Sequence, residues 1–178
     1  SYALLTGGEW ALTDSASYEF DTQNRWVKRT AGNSRVTQRE LMCDGRLLWE
    51  IDENGIRTDY AYGTGRQLVE TTRSAVMDGE TVITPEIITT YTRDAAGRIL
   101  STRRDTGAMT TSESSEYDLL GRITSSTDVL GRVTTYAYSQ DGLTTTQTIP
   151  SGATFVTRNA PDGTVLEESG TGQRHIIY

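Results

Sequence analysis

Apolar and polar residues alternate along this chain in short runs, and the alternation is broken by a glycine about every ten residues. Gly45, Gly55 and Gly65 stand ten apart, as do Gly97 and Gly107, and Gly121 and Gly131; Gly142, Gly152 and Gly163 then follow at intervals of 11, 10 and 11. Between the glycines Thr, Val, Ile and Tyr dominate, residue types that fit a pleated surface. From Gly45 to Asp52, Leu47, Trp49 and Ile51 fall on one face and Arg46, Leu48 and Glu50 on the other, the period of a half-buried strand. No window sustains a helical period, so the pattern predicts an all-β chain in which one small unit, strand plus turn, is copied many times.

The turn positions have a steric reason. Asp44-Gly45, Asn54-Gly55, Asp78-Gly79 and Asp162-Gly163 read as hairpin turns, and Asn24 stands where the other copies have glycine because Asn also tolerates a positive φ. From Gly131 to Ser139, Thr134, Tyr136 and Tyr138 share one face and Val133, Thr135 and Ala137 the other, so neither face is purely apolar. With 35% hydrophobic residues and a mean hydropathy of -0.50, the chain has little apolar volume for a two-sheet sandwich. A single-layer sheet held by cross-strand Tyr, Thr and Arg pairs fits better. Each such pair contributes about 0.2–1 kcal/mol, so stability requires many repeats.

Two stretches interrupt the beat. Residues 68–91 read as a long hairpin, Leu68 to Val76 against Val82 to Tyr91 around Asp78-Gly79, with Pro85 marking an edge or a bulge. Residues 108–116 form a polar insertion, a loop or an exposed strand. Residues 1–17 match the repeat poorly, and Tyr2, Leu4, Trp10 and Leu12 suit a capping hairpin around Gly7-Gly8. The array itself is expected to run from 18 to 178.

Aligning the copies exposes a motif. Gly55-Ile56-Arg57-Thr58-Asp59-Tyr60-Ala61-Tyr62 matches Gly131-Arg132-Val133-Thr134-Thr135-Tyr136-Ala137-Tyr138. A Gly-Arg-aliphatic half-unit recurs at Gly45-Arg46-Leu47, Gly97-Arg98-Ile99, Gly121-Arg122-Ile123 and Gly131-Arg132-Val133. The most complete copy starts at Tyr117-Asp118-Leu119-Leu120-Gly121-Arg122 and runs on to Tyr138; Tyr91 to Arg98 and Phe20 to Trp26 are looser ones. This pattern resembles the YD repeat of the RHS protein family, which includes toxin-complex C proteins and teneurin-like shells. The resemblance implies an antiparallel hairpin array forming a curved or spiralling sheet, a segment of a hollow β-shell. It also implies partners: the remainder of that shell and an enclosed C-terminal toxin domain, in a secreted or surface-exposed protein whose export signal lies outside this piece. The family's self-cleaving Asp-Pro site has no counterpart, since no Asp-Pro dipeptide occurs. The alternative reading is adhesion or carbohydrate binding through the exposed tyrosines.

Charge and chemistry narrow the function further. A net charge of -7 works against nucleic-acid binding, and no run approaches the length of a membrane span. A single cysteine, Cys43, reads as a free thiol beside a turn, and the lone histidine, His175, is unsuited to a metal or Cys-His site. Asp52 and Asp128 read as turn or cross-strand partners of the repeated arginines, and Glu113 and Glu116 do not form a recognisable acid and base pair. The expectation is therefore a non-enzymatic wall segment without metal or cofactor, whose open strand edges favour self-association.

Overall fold

The computed structural model describes residues 2–4, 10–12, 15–172 and 176–177. Fifteen of its strands form one antiparallel sheet in which sequence neighbours pair. In chain order the strands are β1 (Tyr2–Leu4), β2 (Trp10–Leu12), β3 (Ala16–Phe20), β4 (Trp26–Ala31), β5 (Val36–Leu41), β6 (Leu47–Ile51), β7 (Arg57–Tyr62), β8 (Leu68–Arg73), β9 (Val76–Asp78) and β10 (Thr81–Thr84). The rest are β11 (Ile87–Arg93), β12 (Ile99–Asp105), β13 (Thr110–Tyr117), β14 (Ile123–Thr127), β15 (Val133–Tyr138), β16 (Thr144–Thr148), β17 (Thr154–Asn159), β18 (Val165–Gly170) and β19 (Ile176–Ile177). The sheet order runs β3 to β8, then β11 to β19. β1 pairs with β2, and β9 with β10, as separate two-stranded sheets.

Two compact units divide the chain, 1–90 with 105–109, and 91–104 with 110–178. Within each, the ten-residue glycine beat resolves into a two-strand repeat, because successive turns lie at opposite ends of a meander. In the first unit the turns at one end open at Asp21, Met42 and Gly63; in the second, turns at one end open at Asp118, Ser139 and Ala160, and both sets are spaced by 21 residues.

Most of these turns share one hydrogen-bond pattern. The first residue donates its N–H to the carbonyl of the fifth and accepts from the N–H of the fourth, as in Asp118 N to Arg122 O at 2.9 Å and Gly121 N to Asp118 O at 3.0 Å. The fourth residue alone has a positive φ, as at Gly121 (84°) and Gly131 (75°). That is a type I turn closed by a one-residue bulge. A two-residue turn of the mirror-image kind would need two positive φ values in succession, so Asn54-Gly55 and Asp44-Gly45 are not such turns: only their glycines enter the left-handed region. The same geometry exposes a turn the glycine count misses. At Ala31 to Arg35, Gly32 is two positions early, and Ser34 takes the left-handed place with φ 65°.

Among the described residues none is buried, so there is no hydrophobic core. The accessible surface of 12186 Å² exceeds the roughly 8,600 Å² of a compact chain of this mass. Stability must come from the sheet plane itself. Cross-strand rows are short and hydroxyl-rich: Ser125 faces Thr135, Thr135 faces Thr148, and Thr148 faces Thr154. On β15, Thr134, Tyr136 and Tyr138 are half-buried while Val133, Thr135 and Ala137 are exposed, the division of faces read from the sequence.

The interruptions differ in detail from the sequence reading. Leu68–Arg73 pairs directly with β11, Arg73 opposite Ile87, and Val76 belongs instead to the separate β9–β10 hairpin. Ser74 still donates to the Arg57 carbonyl at 2.8 Å, one step further along the β7–β8 register, and the chain leaves the sheet after it. A bulge falls between Val82 and Thr84, and Pro85 follows. Thr110–Tyr117, which takes in most of the polar insertion, is a strand with a register shift between Glu116 and Tyr117. β1 and β2 form a hairpin across residues 5–9, whose own structure, with Gly7-Gly8, lies outside the described residues. The array's first strand begins at Ala16.

Two glycine exchanges test the turn geometry. A Cβ on Gly131 would meet nothing within 4 Å, so Gly131→Val should cost about 1–2 kcal/mol through backbone strain alone, with faster amide exchange confined to β14 and β15. Ser34→Gly relieves that same strain at the price of about 0.5–1 kcal/mol of chain entropy, so it should leave stability unchanged or raise it by up to about 1 kcal/mol. Urea denaturation checks both; a clear loss at Ser34→Gly would contradict the turn assignment.

Candidate functional site

The repeated residues converge on one end of each unit, where they build a ladder of clamps. In Asp118-Leu119-Leu120-Gly121-Arg122 the aspartate Oδ1 accepts the N–H groups of Leu120 and Arg122, each at 2.9 Å. Its Oδ2 accepts Arg122 Nε and Nη2, both at 2.7 Å. The bulged turn is what allows this, because it folds residue five back over residue one. Asp94 holds Arg98 in the same way, at 2.6 Å. In the Met42 to Arg46 turn the acid has moved two places along, and Asp44 still holds Arg46 Nε at 2.8 Å.

Each arginine, once pinned, lies flat on the tyrosine that immediately precedes the next turn at that end. Arg122 covers Tyr138 at 4.2 Å, Arg98 covers Tyr117 at 4.7 Å, and Arg46 covers Tyr62 at 4.4 Å from the ring centroid. The tyrosine hydroxyl then reaches past the guanidinium to the carbonyl of the residue after the arginine. Tyr138 donates to Ile123 O at 2.7 Å, Tyr117 to Ile99 O at 3.2 Å, and Tyr62 to Leu47 O at 3.0 Å. The two letters of the Tyr-Asp pair thus serve different turns: Tyr117 receives the arginine of the preceding turn, while Asp118 fixes its own.

The remaining members of the motif take other places. Gly45, Gly55, Gly97, Gly121 and Gly131 all carry positive φ. Tyr60 lies two residues back along β7 from Tyr62 and donates to Glu50 at 2.5 Å. Tyr136 stands on the face of Tyr138, opposite Gln147. Arg132 is held by Asp128 at 2.7 Å, but it stands at the other end of its unit, where Thr148 occupies the place before the next turn. Its side chain is 61% exposed against 34% for Arg122, and it has no aromatic partner among the described residues.

Two further clamps were not legible as part of the repeat. Arg39 covers Trp26 at 3.3 Å and donates to the Trp26 carbonyl at 2.9 Å. Arg57 covers Trp49 at 4.6 Å while holding Asp59, and Trp49 donates to Glu40 at 2.6 Å. The signal that could have found them is the cation and aromatic standing on neighbouring strands, visible only once register is known. Asp52 departs from the expected role: the fifth residue of its turn is Ile56, so its carboxylate caps only the N–H groups of Asn54 and Ile56, at 2.8 and 3.0 Å. Cys43 is an exposed free thiol in its turn, and His175 lies outside the described residues. No cluster of metal-ligating side chains occurs among the described residues.

These carboxyls are acidified by their turns. Hydrogen bonds from Arg25 hold Asp21 below the ordinary aspartate value, those from Arg46 do so for Asp44, and those from Arg132 for Asp128. At Asp94 and Asp118 partial desolvation pushes upward and is outweighed by the bonds from Arg98 and Arg122.

Residues 117–154 match the family model described as RHS repeat. No curated protein matches the sequence. Among solved structures, TcdB2-TccC3 aligns over 86% of this chain at 15% identity with a TM-score of 0.47. TcdB2-TccC3-TEV aligns over 87% at 14% identity with a TM-score of 0.49, and TcdB2-TccC3-Cdc42 over 87% at 14% with 0.47. This chain spans 10% of the length of each of those chains.

Two outcomes follow from the clamps. A folded-state aspartate pKa below the unfolded value stabilises the fold above about pH 4, and that stability is lost as pH falls through the folded value; urea midpoints should therefore drop from pH 5 to pH 3, and less steeply in a variant with Asp94→Asn and Asp118→Asn. Second, Thr148→Tyr offers Arg132 the ring it lacks and should raise the urea midpoint, whereas Thr148→Leu, equally apolar, should raise it less.

Proposed function

We propose that this chain is a structural module, a strip of wall in an RHS-type protein that encloses or presents another domain. The observation that carries this reading is that none of the described residues is buried, in a sheet where Arg46, Arg98 and Arg122 each bind the aspartate of their own turn and the tyrosine before the next. A domain built for catalysis or small-ligand binding needs a concave, water-excluding site, and here the repeated polar groups are spent on one another. The YD pattern and the RHS repeat at residues 117–154 support enclosure of a C-terminal toxin domain in a secreted or surface-exposed protein. Three of the four tyrosines on which carbohydrate binding would depend are already engaged: Tyr62 and Tyr138 carry an arginine and bond to carbonyls, and Tyr60 bonds to Glu50.

The test is limited proteolysis of the full-length protein. A C-terminal domain should resist cleavage in the wild type and become sensitive when Arg98→Ala and Arg122→Ala loosen the wall. Equal cleavage of that domain in both proteins would contradict enclosure. Saturable binding on a glycan array, abolished by changing Tyr60 and Tyr62 or Tyr136 and Tyr138, would favour the adhesion reading instead.

A further inference from the structure

The β9–β10 hairpin is the least explained part of the fold. Every other described connection between β3 and β8 is a tight turn, yet residues 74–86 leave the sheet after Arg73 and return at Ile87, forming a two-stranded sheet of their own. A two-stranded hairpin in water is marginal at best, and ordering its backbone costs conformational entropy at every residue. Its own contacts recover little of that, because its apolar side chains face outward: Met77 is 51% exposed, Val82 54% and Ile83 60%. Met77 and Val82 stand opposite each other, so they share one face, and Ile83 sits within the bulge that follows. Bulges re-aim a side chain.

Charge says what kind of surface this knob suits. Residues 74–86 contain Asp78, Glu80 and Glu86 and no Lys or Arg, and all three acids are exposed. An exposed apolar pair on a hairpin whose only charges are exposed carboxylates is complementary to an apolar surface accompanied by cations. It opposes a second copy of itself, which would set acid against acid, and an anionic lipid surface equally. We infer that the β9–β10 hairpin is a docking knob for a protein surface that presents an apolar patch bordered by Lys or Arg, with Met77, Val82 and Ile83 as the buried centre. This inference does not depend on the wall reading.

The decisive experiment measures binding of an amphipathic leucine–lysine helical peptide to the full-length protein by fluorescence anisotropy. A leucine–glutamate peptide of the same length and zwitterionic phosphatidylcholine vesicles serve as comparison probes. The key variants are Ile83→Ser and Ile83→Asp, at a position exposed enough that neither should disturb the fold. Docking predicts saturable binding of the basic peptide, weakened at least tenfold by both Ile83 variants and severalfold by Glu80→Gln with Glu86→Gln, with no binding of the acidic peptide. Tighter binding to Ile83→Asp would reduce the contact to bulk charge and overturn the proposal. So would absence of saturable peptide binding, or vesicle binding that depends on Ile83, which would make the occupant a lipid surface.

Discussion

Everything else in this structure depends on a guanidinium held on two sides at once: by the aspartate of its own turn and over the ring of the tyrosine that immediately precedes the next turn at that end. Salt bridges between exposed side chains contribute little when each partner must be immobilised for that contact alone. Here the aspartate is already fixed by two backbone N–H groups, and the tyrosine by its hydroxyl bond. The arginine therefore docks into a preformed site. The contact pairs residues that face each other on adjacent strands and so ties one turn to the strand leading into the next turn at that end. In a fold without a core, this is the interaction that couples one repeat to the next.

The two ends of the second unit are unequal as a consequence. In the second unit Arg98 and Arg122 tie successive turns at one end, while Arg132, at the other, is held by Asp128 and reaches no ring. In the first unit Arg25, which finds Leu41 before the next turn instead of a tyrosine, donates to the Met42 carbonyl at 2.7 Å. The arginine crosses to the following turn in either case. What varies is whether it meets a ring or a carbonyl.

Much of this was legible in the sequence, for identifiable reasons. Strand faces followed from simple alternation at Thr134, Tyr136 and Tyr138, and the recurrent glycines marked positions where a side chain is costly. Turn type was harder to read, because Asn54-Gly55 is compatible with two turn geometries and only the backbone distinguishes them. Ser34 concealed a turn by occupying a left-handed position that glycine usually fills. The separate pairing of β9 and β10 was missed since Leu68 to Val76 has strand composition throughout, with nothing in it to mark where the chain leaves the sheet. Most opaque was the division of labour within Tyr117-Asp118. Adjacent in sequence, these residues serve different turns, and that cannot be read before strand register is known.

A double-mutant cycle on Arg122 and Tyr138 tests the clamp most directly, using Arg122→Gln, Tyr138→Leu and the pair, with stability measured by urea denaturation. The account predicts a coupling energy of about 0.5–1 kcal/mol, and no measurable coupling in the matching cycle on Arg132 and Thr148. Strict additivity at Arg122 and Tyr138 would show that the two side chains stabilise the sheet independently, and the repeat would then need another source of cohesion.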